Sequence, residues 1–178
     1  NIFNNNFLYA IETLSGKNNI IDLIVNNLDI NTFKTLNKGE LELIFKDIDN
    51  RISSFQNFLE YLYSNEHKDF QLFWELFSIS NNWLWNKNSI NKIRRNIFIL
   101  EIVKDEESGK NIINVICPDG WEYDNDKFNI TVKNHILIKN GDYFEILTHH
   151  HNSQNKYDFM SNDPRLSEII SLYHSCKF

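Results

Sequence analysis

Ile97-Phe98-Ile99-Leu100-Glu101-Ile102-Val103 decides the fold class, because the hydrophobic period of the chain changes there. The run is short, almost continuously apolar and rich in β-branched residues, which is the pattern of a buried strand. A second such run, Ile112-Ile113-Asn114-Val115-Ile116-Cys117, follows the turn signal Glu106-Glu107-Ser108-Gly109-Lys110. Further on, His135-Ile136-Leu137-Ile138-Lys139 and Tyr143-Phe144-Glu145-Ile146-Leu147 flank Asn140-Gly141. An Asn-Gly between two apolar runs predicts a hairpin.

Upstream of this point the period is helical. Phe7, Leu8, Ile11 and Leu14 share one face, and Ile20, Ile21, Ile24, Val25 and Leu28 repeat it beyond the Gly16-Lys17-Asn18 break. Leu41, Ile44, Phe45 and Ile48 form a third stripe after Asn37-Lys38-Gly39. Ile52, Phe55, Phe58, Leu59 and Leu62 form a fourth, and Phe70, Phe73, Trp74 and Phe77 a fifth. Spacing of i, i+3 and i+4 predicts helices packing one face inward. A last helix is expected after Pro164, with Leu166, Ile169, Ile170 and Tyr173 inward. The expected class is α/β of the α+β kind: a helical N-terminal half flanking a small, mainly antiparallel sheet of about four strands.

At 178 residues the chain reads as one domain spanning 1–178, able to bury about two-thirds of its unfolded surface. Fourteen Phe, seven Tyr and four Trp supply the core, and two Pro with five Gly argue against a linker-rich chain. The net charge of −6 disfavours a general nucleic-acid binder, which needs basic clusters to displace counterions. The basic knot Lys92-Ile93-Arg94-Arg95 reads as a solvated loop. No apolar run reaches the length of a membrane span, and no signal-peptide pattern is present. Cys117 and Cys176 do not make a disulfide framework by number or spacing. Asn is abundant while Ala, Gly, Pro and Arg are scarce, a bias that matches an AT-rich genome. The chain opens at Asn, which reads as a segment of a larger protein.

The chemistry-bearing stretch is Asn4-Asn5-Asn6-Phe7-Leu8-Tyr9-Ala10-Ile11, polar turn residues leading into a helix start. Unpaired amides at a helix N-terminus lower a thiol's pKa and stabilise an oxyanion. This stretch resembles the opening Asp-Gly-Asn-Cys-Leu-(Phe/Tyr)-x-Ala motif of the ovarian-tumour (OTU) family of cysteine proteases, most of which remove ubiquitin. Asn6, Leu8 and Tyr9 fit that motif; Phe7 stands where the nucleophile would be, and Asn4, Asn5 and Ile11 replace the Asp, the Gly and the closing Ala. The family's catalytic His lies in a late hairpin, and the similar hairpin here would place Tyr143 at that position and Phe144 after it. The resemblance spans about 4–147. It also extends to a domain of very large proteins of nucleocytoplasmic large DNA viruses, through Phe33, Leu36, Gly39 and Leu41, Ile116-Cys117-Pro118, and Tyr143-Phe144-Glu145.

The resemblance implies a catalytically inactive OTU-like domain. Phe7 has neither lone pair nor proton, and a tyrosine of ordinary pKa near 10 is a poor base at neutral pH. Asn4, Phe7 and Tyr143 are then the degenerate catalytic positions, with the old cleft filled by rings packing on each other. The implied role is a protein-interaction or assembly module whose partner is ubiquitin, a host factor or another segment of the same polypeptide, inside the cell or in the virion. Binding candidates are Trp121, Tyr123 and Phe144, since aromatics are frequent interface anchors. Two alternatives remain: an active cysteine hydrolase with Cys117 as relocated nucleophile, and a structural domain without a ligand. No cofactor is expected. His149-His150-His151 would alternate in direction on a strand, which disfavours one closed metal site, and His67, His135 and His174 have no spacing that recruits a partner.

Overall fold

Polar caps start most of the helices. The computed structural model describes residues 6–79, 83–85, 95–118, 133–174 and 176. Asn6, Asp29, Ser53 and Asp69 each accept a backbone N–H from the first turn of the helix they precede. Those helices are α1 (Phe7–Ser15), α3 (Ile30–Thr35), α5 (Ser54–Tyr63) and α6 (Phe70–Ser78). Between them lie α2 (Ile20–Asn27) and α4 (Glu40–Lys46), each entered from a residue in the left-handed region, Asn19 and Gly39. The last helix among the described residues is α7 (Ser167–Tyr173).

The strands are β1 (Arg95–Lys104), β2 (Asn111–Ile116), β3 (Lys133–Asn140), β4 (Tyr143–Ile146), β5 (His149–His151), β6 (Gln154–Lys156) and β7 (Phe159–Met160). The main sheet runs β2-β1-β3-β4, with β7 also paired to β3. Since β1 lies along β3 from Lys133 to Lys139, β7 shares the opposite edge of β3 with β4. The β1–β3 pairing is parallel, and the other pairings in this sheet are antiparallel. The central pair is buried on both faces, with Ile97, Phe98, Ile99, Leu100, Ile136 and Leu137 in the core. Helix α6 is tied to it by the Trp74 indole N–H, which donates to Ile97 O at 2.8 Å.

The expected α+β class, with its helical N-terminal half, is what the molecule shows. Four readings need correction. Helix α3 was not expected, and Ile44 and Ile48, expected inward, are 50% and 63% exposed. Arg95 is no solvated loop residue: it opens β1, partly buried, with its guanidinium 5.1 Å from the Trp85 ring. The two cysteines are joined as the Cys117–Cys176 disulfide.

The C-terminal helix plugs the sheet with one side chain. Tyr173 is fully buried, and its hydroxyl accepts from Ile99 N–H at 2.8 Å while donating to Ile99 C=O at 2.9 Å. Burial pushes its phenol well above the usual tyrosine range, so it remains the neutral donor these bonds require. Tyr173→Phe keeps the ring but strips a partner from both backbone groups of Ile99. The expected loss is about 2 kcal/mol, in the range for stranded buried polar groups. Equal urea midpoints for the two proteins would show that water replaces the hydroxyl.

Candidate functional site

The amino end of α1 faces the β3–β4 hairpin across a nest of rings. Asn6 Oδ1 accepts from Tyr9 N–H at 2.9 Å, which fixes where the helix begins and puts Phe7 in its first turn. Phe7 is 1% exposed. Its ring centroid lies 5.6 Å from Phe144, 5.9 Å from Phe77 and 6.2 Å from Phe70. Phe70 and Phe144 meet edge-on at 5.4 Å, closing the cluster. Edge and tilted contacts at these separations suit the aromatic quadrupole.

Tyr143 does not take part. Asn140 and Tyr143 are opposite each other across a two-residue loop in which Gly141 adopts φ 62. Neighbouring strand residues point to opposite faces. Tyr143 is therefore turned outward, 57% exposed, while Phe144 enters the core at 8%. The expected packing of Phe7 on Tyr143 is thus corrected: the hairpin residue that meets Phe7 is Phe144. Asn4, Trp121 and Tyr123 lie outside the described residues.

Other parts of the implied family segment are core. Phe33, Leu36 and Leu41 are buried, and Asn37 sits at φ 52 between them. The Asn37 backbone N–H donates to a Glu75 carboxylate oxygen, and its side chain donates to Gln71 O at 3.1 Å. These bonds lock the 36–39 turn onto α6, where the Gln71 side chain in turn donates to Cys117 O at 3.4 Å. The Cys117 sulfur is bonded to Cys176, so it is no thiolate in this structure.

On the far side of α1 is a groove of about 310 Å³. Leu8, Ile20 and Leu62 contribute apolar surface, Tyr9 and Tyr63 are exposed, and Glu12 and Asp22 are its charged residues. Tyr63 donates its hydroxyl to Asp22 at 2.7 Å. No local pattern announces this groove, because its walls come from α1, α2 and the end of α5.

Sequence reading also missed the partners of His135. His135 is 2% exposed and stacks on Trp85, with ring centroids 5.2 Å apart. Burial, despite a backbone bond with Tyr157 O, lowers its pKa to about 4. An unfolded histidine titrates near 6.5, so the fold disfavours the charged form. The stability this represents is complete above about pH 6.5 and is lost as pH falls towards 4, amounting to about 3 kcal/mol. His135→Gln should flatten the stability–pH curve over that interval by this amount. An unchanged curve would mean that the folded protein accommodates the proton. No three or more His, Cys, Asp or Glu among the described residues are grouped to hold a metal ion, and no helix there is long and apolar enough to cross a membrane.

No family model, no curated protein and no solved structure matches the chain.

Proposed function

We propose that this chain is a catalytically inactive OTU-like domain that serves as a protein-interaction or assembly module within a large viral protein. The observation that carries the reading is the position of Phe7. The first turn of a helix facing a hairpin is where a thiolate gains most from the helix field. Here that place holds a phenyl ring enclosed by three others. A ring with no transferable proton cannot act as nucleophile, acid or base.

Recognition can outlast chemistry, since binding surface and reacting atoms are separate features. The groove beside α1 offers two exposed tyrosines over an apolar floor, with carboxylates as its charged groups, a surface suited to a basic, extended protein segment. Ubiquitin is the first partner to test, with a host factor or another segment of the same polypeptide next. The setting proposed is intracellular, in host cytoplasm or in the virion.

The test is an NMR titration of the labelled chain with monoubiquitin. Saturable shifts are expected at Tyr9 and Tyr63, at the Tyr143–Phe144 hairpin or around Trp121. No shifts at concentrations up to about 1 mM, a binding free energy weaker than about −4 kcal/mol, would overturn the ubiquitin assignment.

A further inference from the structure

One edge of the main sheet is open. Among the described residues β2 pairs with β1 alone, in an unbroken antiparallel register from Ile99↔Ile116 to Lys104↔Asn111. Folded proteins blunt such an edge with a charge, a proline or a bulge, because its free N–H and C=O groups recruit another strand. Asn111-Ile112-Ile113-Asn114-Val115-Ile116 has no charged residue, no Pro and no Gly, and its ladder with β1 has no bulge. Ile112 and Ile113 point to opposite faces of the strand, and they are 43% and 62% exposed. The edge is also held in place. In the turn that joins β1 to β2, Asp105 N–H donates to Lys110 O and Gly109 N–H to Asp105 O, both at 2.8 Å, while Ser108 Oγ donates to Asp105 at 2.7 Å. A strand already fixed has little ordering entropy left to lose on pairing.

We propose that β2 pairs with β2 of a second copy of this chain, antiparallel about a two-fold axis at Asn114, joining two sheets into one. The residues of the strand select both partner and register. A two-fold axis normal to the sheet sets the axial residue opposite itself and keeps each face continuous. With Asn114 on the axis, Ile113 faces Val115 of the second copy on one side of the sheet, and Ile112 faces Ile116 on the other. Such β-branched pairs stabilise antiparallel ladders on both faces. With Ile113 on the axis, Ile112 would face Asn114 and Asn111 would face Val115, polar against apolar. The Asn114 amides, each both donor and acceptor, suit a position where the side chain meets its own copy.

Charge favours a like partner at this edge. Two chains of net charge −6 repel, yet every residue of β2 is neutral. Glu101, which faces Asn114 from β1, lies 3.9 Å from Lys139 Nζ. The acidic turn at Asp105, Glu106 and Glu107 lies beyond Asn111, which is about 10 Å from the axis at the rise of a strand. Antiparallel pairing sends the two turns to opposite ends, more than about 20 Å apart, well past the screening length of about 8 Å at physiological salt. No residue of β2 lines the groove beside α1, so pairing leaves that groove open in both copies.

Sedimentation of the 178-residue chain at rising concentration, up to about 1 mM, tests this. The average mass should climb from one copy to two and stop there. Ile113→Lys puts a charge beside the axis in each copy and should raise the dissociation constant by about tenfold or more. Because Ile113 is exposed, the urea midpoint of the single chain should stay where it is. The two cysteines are bonded to each other, so Asn114→Cys carries one free thiol. Diamide should join two copies through position 114, as peptide mapping would show, and should not join two copies of Glu106→Cys. A chain that stays single, or association that grows past two, overturns the proposal. So does a dimer whose dissociation constant is unchanged in Ile113→Lys, or one that does not link through position 114.

Discussion

Phe7→Ala should lose about 3–5 kcal/mol of folding stability, the range for deleting a buried phenyl ring. The expectation rests on enclosure: Phe7 is 1% exposed and touches Phe70, Phe77 and Phe144, which come from two other elements. Those neighbours sit on α6 and β4, each fixed by its own core contacts, so they cannot close over the vacancy fully. A urea denaturation series of wild type, Phe7→Leu and Phe7→Ala should give graded losses, with leucine intermediate. A Phe7→Ala protein as stable as the parent would mean that the ring is not enclosed in solution, and the filled-cleft account would fall with it.

The same geometry decides which double variant tests the proposed OTU-like reading. Phe7→Cys with Tyr143→His follows the family motif by sequence position, yet position 143 points to solvent. Phe7→Cys with Phe144→His puts both groups on the side of the strand that faces α1. Neither pair is expected to hydrolyse ubiquitin conjugates, because both remove core rings and neither supplies a group to orient the imidazole. Turnover by the second pair alone would show that the scaffold retains the remaining catalytic parts.

The helices were legible where several apolar residues recur on one face, as in Phe73, Trp74 and Phe77 of α6. The pattern misled at Ile44 and Ile48 because α4 ends at Lys46: two turns bury Leu41 and Phe45, and Ile48 falls beyond the helix. Helix α3 has only Ile30 and Phe33 as apolar residues and depends on its Asp29 cap. The phase of β4 turned on one detail, the two-residue loop that pairs Asn140 with Tyr143 and so sends Phe144 inward. Strands β5 and β6 are three residues each with little apolar character, and β7 is only Phe159–Met160, so their pairings rather than a local hydrophobic period make them. The parallel β1–β3 pairing leaves no local trace, since β2 intervenes in the chain. The Arg95–His135 contact was invisible for the same reason: the two residues are 40 apart in sequence.

Reduction of the Cys117–Cys176 bridge should lower stability by about 4 kcal/mol. The cysteines are 59 residues apart, and the chain-entropy model gives this cost for freeing an unfolded loop of that length. The native state adds a structural reason. Cys117 follows the end of β2 and Cys176 lies three residues past Tyr173, so the bond holds α7 where the Tyr173 hydroxyl reaches Ile99. Cys176→Ser should match the reduced protein, and reductant should then change nothing further. Denaturation midpoints unaffected by reductant, with both thiols alkylated in the folded chain, would show that the bridge does not form. The outcome also bears on chemistry. A bonded sulfur is no nucleophile, so an electrophilic ubiquitin probe should give no adduct at Cys117 in the oxidised protein. An adduct on the reduced, folded chain that disappears in Cys117→Ala would instead favour a hydrolase with Cys117 as its nucleophile.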